Sequence, residues 1–141
     1  MKTFQKLTVL MSMLGLLSAI PAMAQVDNTL TFQAPFAFYA GNAKLPAGIY
    51  TVTHQDDNAD LLLIESADKL HSVFVDYMTD DSDAAPAKTE VTFNKYGNTE
   101  FLGRISVKGQ NSMLVLASKA EQNAAKAASS EKHSLTARVG R

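Results

Sequence analysis

Val91-Thr92-Phe93-Asn94-Lys95-Tyr96-Gly97-Asn98-Thr99-Glu100-Phe101-Leu102 is the stretch that decides the fold. Val91, Phe93 and Lys95 alternate up to Tyr96, and a glycine then opens a two-residue connection. Glycine first in such a pair fits a type II′ hairpin turn, whose twist matches that of the flanking strands. With Gly97 and Asn98 as the loop, Tyr96 faces Thr99, Lys95 faces Glu100 and Phe93 faces Leu102. One face then carries an apolar pair and an opposite-charge pair, each contributing roughly 0.2–1 kcal/mol. The other face carries Tyr96 and Phe101.

Beyond Leu102 the parity changes. Ile105 and Val107 share the parity of Phe101, so either both faces are buried or a bulge near Gly103 re-phases the strand; the bulge is the favoured expectation. Residues 113–116 form a last apolar run. Toward the N-terminus, Leu30 and Phe32 alternate with Thr29 and Thr31, the period-two mark of a half-buried strand. Pro35 interrupts, because proline cannot donate to a ladder. Phe36 and Phe38 resume the alternation, and Gly41-Asn42 marks a reversal. Leu45-Pro46-Ala47-Gly48 reads as a tight turn, with Pro46 presetting φ and Gly48 at the fourth position.

Residues 49–53 are β-branched and aromatic, as strands prefer. A polar loop over 54–60 follows. The continuous run Leu61-Leu62-Leu63-Ile64 suggests a strand covered on both faces. Residues 71–77 form another strand, and 79–88, acidic and containing Pro86, read as a solvated loop. Short strands at near-regular spacing predict an all-β fold, a small antiparallel sandwich or barrel of about seven strands. An outer-membrane barrel wants eight or more longer strands with an apolar outward face, and is not expected.

The character changes at Ser118-Lys119-Ala120-Glu121, which matches a capping box. The Ser118 hydroxyl can accept from the Glu121 N–H while the Glu121 carboxylate reaches back to the Ser118 N–H. Alanine-rich sequence carries a short helix over 118–128. Its apolar face is almost all alanine, so loose docking is expected. Residues 129–141 are polar and mildly basic, and read as a disordered tail.

At the other end, residues 1–24 read as a signal peptide. Lys2 and Lys6 precede an uncharged apolar run over 7–20, Pro21 breaks it, and Ala22-Met23-Ala24 supplies a small-x-small cleavage site. The run is shorter than the ~20 residues that span a bilayer, so no transmembrane span is expected after cleavage. Residues 25–117 would form the β domain. Residues 25–141 carry 11 Lys and Arg against 14 Asp and Glu, about −3, which argues against a nucleic-acid binder with its basic stripe. The chain has no cysteine. Disulfides, thiolate metal sites and cysteine catalysis are therefore excluded.

Pro35-Phe36-Ala37-Phe38, Gly41, Leu45-Pro46-Ala47-Gly48-Ile49-Tyr50-Thr51-Val52, Phe93-Asn94-Lys95-Tyr96-Gly97, Phe101-Leu102 and Lys119-Ala120-Glu121 carry a resemblance. Over about residues 30–121 the chain resembles an uncharacterised family of small exported proteins found mainly in soil bacteria of the acidobacterial type. Members commonly carry a tryptophan soon after the Phe-Leu pair, where Ile105-Ser106 stand here. The resemblance implies an exported β domain and no assigned activity.

Chemistry-bearing motifs are sparse. His54, His71 and His133 have no metal-ligand spacing and read as surface or strand-end residues. Asp56-Asp57-Asn58-Ala59-Asp60 and Asp80-Asp81-Ser82-Asp83 lack the glycine and glutamate of a calcium loop, and read as solvated. There is no G-x-S-x-G elbow and no phosphate-binding glycine loop. No catalytic, metal or cofactor-binding residue is assigned and no cofactor is expected. Pro46, Gly48, Gly97 and Asn98 are expected to shape turns, and Ser118 and Glu121 to cap the helix. Three functions remain open. The first is a noncatalytic binding or structural domain, a possible cell-envelope component whose partner the sequence leaves unknown. The second is a carrier of a small apolar ligand, requiring a cavity of about 300 Å3 or more. The third is an enzyme of unrecognised type. Export to the periplasm or beyond is common to all three.

Overall fold

The computed structural model describes residues 29–55, 57, 60–81 and 84–140. The expected signal peptide, and the start of the chain after it, lie outside them. Ten strands and one helix follow one another: β1 (Leu30–Ala34), β2 (Phe38–Ala40), β3 (Ala43–Leu45), β4 (Gly48–His54), β5 (Leu61–Ser66), β6 (Ser72–Asp80), β7 (Glu90–Tyr96), β8 (Thr99–Ser106), β9 (Ser112–Val115), α1 (Lys119–Ala127) and β10 (Ser130–Val139).

Eight of the strands close an antiparallel barrel in the order β8-β7-β10-β1-β4-β5-β6-β9, with β9 pairing back onto β8. Closure leaves those strands no free edge along the ring. β9 is only four residues long. It pairs with β8 at Arg104 and Ile105. Further along β8, Phe101 pairs instead with Tyr39 of β2, in parallel. The β2–β3 hairpin thus occupies the wall where β9 runs out. A Cβ placed on its Gly41 would lie 3.5 Å from Val75 of β6.

The hairpin that opened the sequence argument forms in the expected register: Tyr96 opposite Thr99, Lys95 opposite Glu100, Phe93 opposite Leu102. Gly97 has φ +61° while Asn98 stays at negative φ, as a type II′ turn requires. The bulge is also present. Thr92 faces Arg104 and Phe93 faces Leu102, so Gly103 is the unpaired extra residue. A Cβ there would sit 2.6 Å from Asn94 Nδ2, so a larger residue would displace the Asn94 side chain that reaches Glu121. Pro46 and Gly48 bracket the turn into β4, and the Tyr50 hydroxyl donates to the Pro46 carbonyl at 2.5 Å.

Side chains of one parity fill the interior. Phe32, Phe36, Phe38, Tyr50 and Phe93 form its aromatic centre, with ring centroids 5.1–6.1 Å apart. Offset and edge contacts of this kind add to the burial itself. Leu62, Ile64, Val91, Leu102 and Ile105 complete it, all at most 1% exposed. The apolar parity faces inward, the reverse of a membrane-spanning barrel. Among the described residues no helix is long and apolar enough to cross a membrane.

Four expectations need correction. The tail expected to be disordered holds a strand instead: β10 (Ser130–Val139) stands between β7 and β1 and completes the ring. His133, Leu135, Ala137 and Val139 share the inward parity, which polar neighbours obscure in the sequence. The β domain therefore extends well past residue 117, and the strands number ten, not about seven. The run Leu61 to Ile64 is covered on one face only; Leu62 and Ile64 point in, while Leu61 and Leu63 are half-buried on the outer wall beside exposed Phe74. Asp80, read as solvated, is buried and paired with Arg104 at 2.8 Å.

The fourth correction concerns the helix. Ser118 caps α1 as expected, its hydroxyl accepting from Glu121 N–H at 3.1 Å. The reciprocal half of the capping box is replaced. The Glu121 carboxylate instead accepts from Asn94 Nδ2 at 2.8 Å and Tyr96 OH at 3.4 Å. Glu121 is the buried residue of α1, so a polar contact holds the helix where alanines offer little.

Burial raises three tyrosines above the ordinary 10.0. Tyr50 is pushed up by desolvation and then by the Asp68 charge, and Tyr77 by desolvation and then Asp60. Tyr96 is pushed up by desolvation and then by the charge and hydrogen bond of Glu121. The folded state holds these protons more tightly than the unfolded chain. Stability is therefore fully present below pH 10.0 and falls as pH rises through the folded values. The expected result is alkaline unfolding with tyrosinate absorbance appearing cooperatively. Free tyrosine titration without loss of structure would contradict it.

Candidate functional site

The two ends of the barrel differ. At one end the aromatic centre continues into Phe36, which packs edge-on against Phe93 at 5.2 Å and lies against His133 at 5.0 Å. Under it sits Glu100, 5% exposed, whose Oε1 meets His133 Nδ1 at 3.1 Å. Lys95 stands opposite Glu100 in the ladder, yet the side-chain contact that Glu100 makes is with the His133 imidazole. Its second oxygen, Oε2, is buried without a hydrogen-bond partner among the described residues. Phe36, Glu100 and His133 cover the interior at this end, and a concavity of about 450 Å3 lies outside them, lined also by Tyr39, Lys44 and Lys95.

The other end is open. Leu30 of β1, Val52 of β4, Leu62 of β5, Ile105 of β8 and Met113 of β9 line a recess of about 220 Å3. Val107, just past β8, and Val139 of β10 extend the wall. Six strands of the ring contribute, because each brings one inward residue to the same level. Among the described residues the polar side chains lining the recess are His54 and Gln110, both exposed. His54 ends β4 on the inward parity, and its Nε2 lies 2.6 Å from Tyr77 OH. The sequence had marked His54 only as a strand-end residue, and had not singled out Gln110, Met113 or Val139. Closure of the ring assembles them, and no local motif announces that.

The recess is smaller than the roughly 300 Å3 expected of a carrier, the lower bound for drug-sized ligands. It is still larger than the apolar cavity of about 150 Å3 that takes up benzene. A recess of this kind supplies burial and hydrogen bonding at its rim.

The largest concavity lies outside the barrel, about 890 Å3 over β7, β8 and β9 beside residues 84–87. Its lining mixes apolar side chains, such as Met78, Pro86, Leu114 and Leu116, with a floor of polar groups that pair with one another. Arg104 meets Asp80, the Ser106 and Ser112 hydroxyls lie 3.1 Å apart, and the Lys132 ammonium donates to Asn94. Such a floor is structural. Among the described residues no three His, Asp or Glu side chains gather as a metal site.

The residues expected to act structurally stand apart from the open mouth. Gly97 and Asn98 join β7 to β8, Pro46 precedes β4 and Gly48 begins it, and Ser118 and Glu121 hold α1 on the outer wall. No family model, no curated protein and no solved structure matches the chain.

Proposed function

We propose that the chain is an exported, noncatalytic binding domain that takes a small apolar molecule into the open end of its barrel. One observation carries the reading: the interior is filled at one end and leaves an apolar recess of about 220 Å3 at the other. Eight-stranded barrels have interiors just wide enough to be packed or to hold one small ligand. The apparent signal peptide and the resemblance to small exported bacterial proteins support an extracytoplasmic setting. Mature charge of about −3 disfavours nucleic acid as partner.

Toluene is a suitable probe, since its size suits the recess. The expected result is saturable binding, with NMR shifts centred on Leu62 and Ile105. Filling the recess by Val52→Phe, or from its rim by Val107→Phe, should weaken binding at least ten-fold. Absence of saturable binding in the folded protein, or shifts centred elsewhere, would overturn the reading.

A second reading, a structural contact within the cell envelope, is favoured by the outer wall. Phe74, Met78 and Leu116 are 56%, 53% and 48% exposed there. Single exposed apolar residues are ordinary, whereas neighbouring ones mark contact surfaces.

A further inference from the structure

We infer that the ligand is amphipathic: an apolar body of about nine non-hydrogen atoms carrying one hydroxyl or carbonyl oxygen at the end that faces out. The inference rests on the proposed binding function and names the ligand class for the same recess.

Size comes from volume. A cavity of about 150 Å3 holds benzene's six carbons. Scaled to about 220 Å3, the same packing admits roughly nine atoms. Polarity comes from where the polar groups stand. The depth of the recess is walled by Leu30, Val52, Leu62 and Ile105, all at most 4% exposed. A polar atom placed there would lose its water without gaining a partner, which costs several-fold to many-fold in affinity. The rim differs. The Gln110 carboxamide lines it and offers amide N–H and carbonyl oxygen, beside the His54 imidazole, whose Nε2 already meets Tyr77 OH at 2.6 Å. A few polar groups at one side of an apolar pocket fix the orientation of what enters. A ligand with its oxygen at the rim satisfies both regions. One with polar groups at both ends does not.

Ethylbenzene and 4-ethylphenol test this directly, since they differ by one hydroxyl at the end of a body that fits the recess. In an apolar pocket with no partner for it, the hydroxyl weakens binding. Here 4-ethylphenol is expected to bind at least as tightly as ethylbenzene. The variant Gln110→Ala should shift the affinity ratio toward ethylbenzene by about five-fold, the net worth of one hydrogen bond at about 1 kcal/mol. Both affinities are read on the same protein, so a loss of stability does not mimic the shift. If ethylbenzene binds ten-fold tighter to the unaltered chain, or Gln110→Ala leaves the ratio unchanged, the ligand class is wrong while the binding function stands. If neither compound binds the folded chain, the binding function itself fails.

Discussion

A chain ending at Ala128 is expected not to fold. The missing residues include β10, which pairs with β7 along Ser130–Thr136 and with β1 along Ala137–Val139. Without it the ring opens between two strands whose inward residues are Phe93, Val91, Phe32 and Leu30, each at most 4% exposed in the closed barrel. A fully buried side chain of this type contributes about 1.5–3 kcal/mol. Uncovering part of four such residues, and losing Leu135 and Ala137 as well, removes a sum comparable with the whole 5–15 kcal/mol of a typical domain. The two bare strand edges would also invite aggregation. Circular dichroism and proton NMR dispersion of the truncated chain are the measurements. A dispersed, cooperative spectrum would refute the barrel order. A synthetic peptide of residues 129–141 added in trans should restore structure, because β10 contributes one strand rather than a separate unit.

The second large effect is expected from Phe93→Ala. Phe93 is 0% exposed and lies within ring contact of Phe32, Phe36 and Phe38. Its removal leaves a cavity at the point where β1, β2 and β7 converge, and three rings lose a partner at once. Losses of about 3–5 kcal/mol are typical for a buried Phe→Ala change, the upper end applying where neighbours cannot collapse. Here they are pinned by the closed ring. Urea unfolding should show a large drop in midpoint with the slope little changed. A loss under about 1 kcal/mol would mean that the aromatic centre is not packed as described.

Several elements were legible locally. Gly97-Asn98 between alternating strands needs only its own neighbours, since a two-residue turn with glycine first sets the register by itself. The displaced parity of Ile105 against Leu102 revealed the Gly103 bulge, because the side-chain period of a strand is two and any extra residue breaks it. Ser118 announced a helix start through its own hydroxyl. Other features had no local signature. His133-Ser134-Leu135-Thr136-Ala137 alternates, but its inward residues are a histidine, one leucine and an alanine, too little apolar bulk to mark a strand. Burial between β7 and β1 is what stabilises it. The Glu121 carboxylate was read as the partner of its own N-cap, and the nearby Asn94 and Tyr96 of a distant strand took it instead.

By itself, then, the chain determined its strand-rich character, its main hairpin, its bulge and its freedom from cysteine chemistry, because each depends on spacing or composition within a few residues. Which strands become neighbours, that the ring closes, that one end is covered while the other stays open, and that His54 and Gln110 meet at the same rim were decided only in three dimensions. Those features arise from pairing between segments far apart in sequence, such as β10 with β1 and β9 with β8. Their stability comes from the shared interior, which no single segment contains.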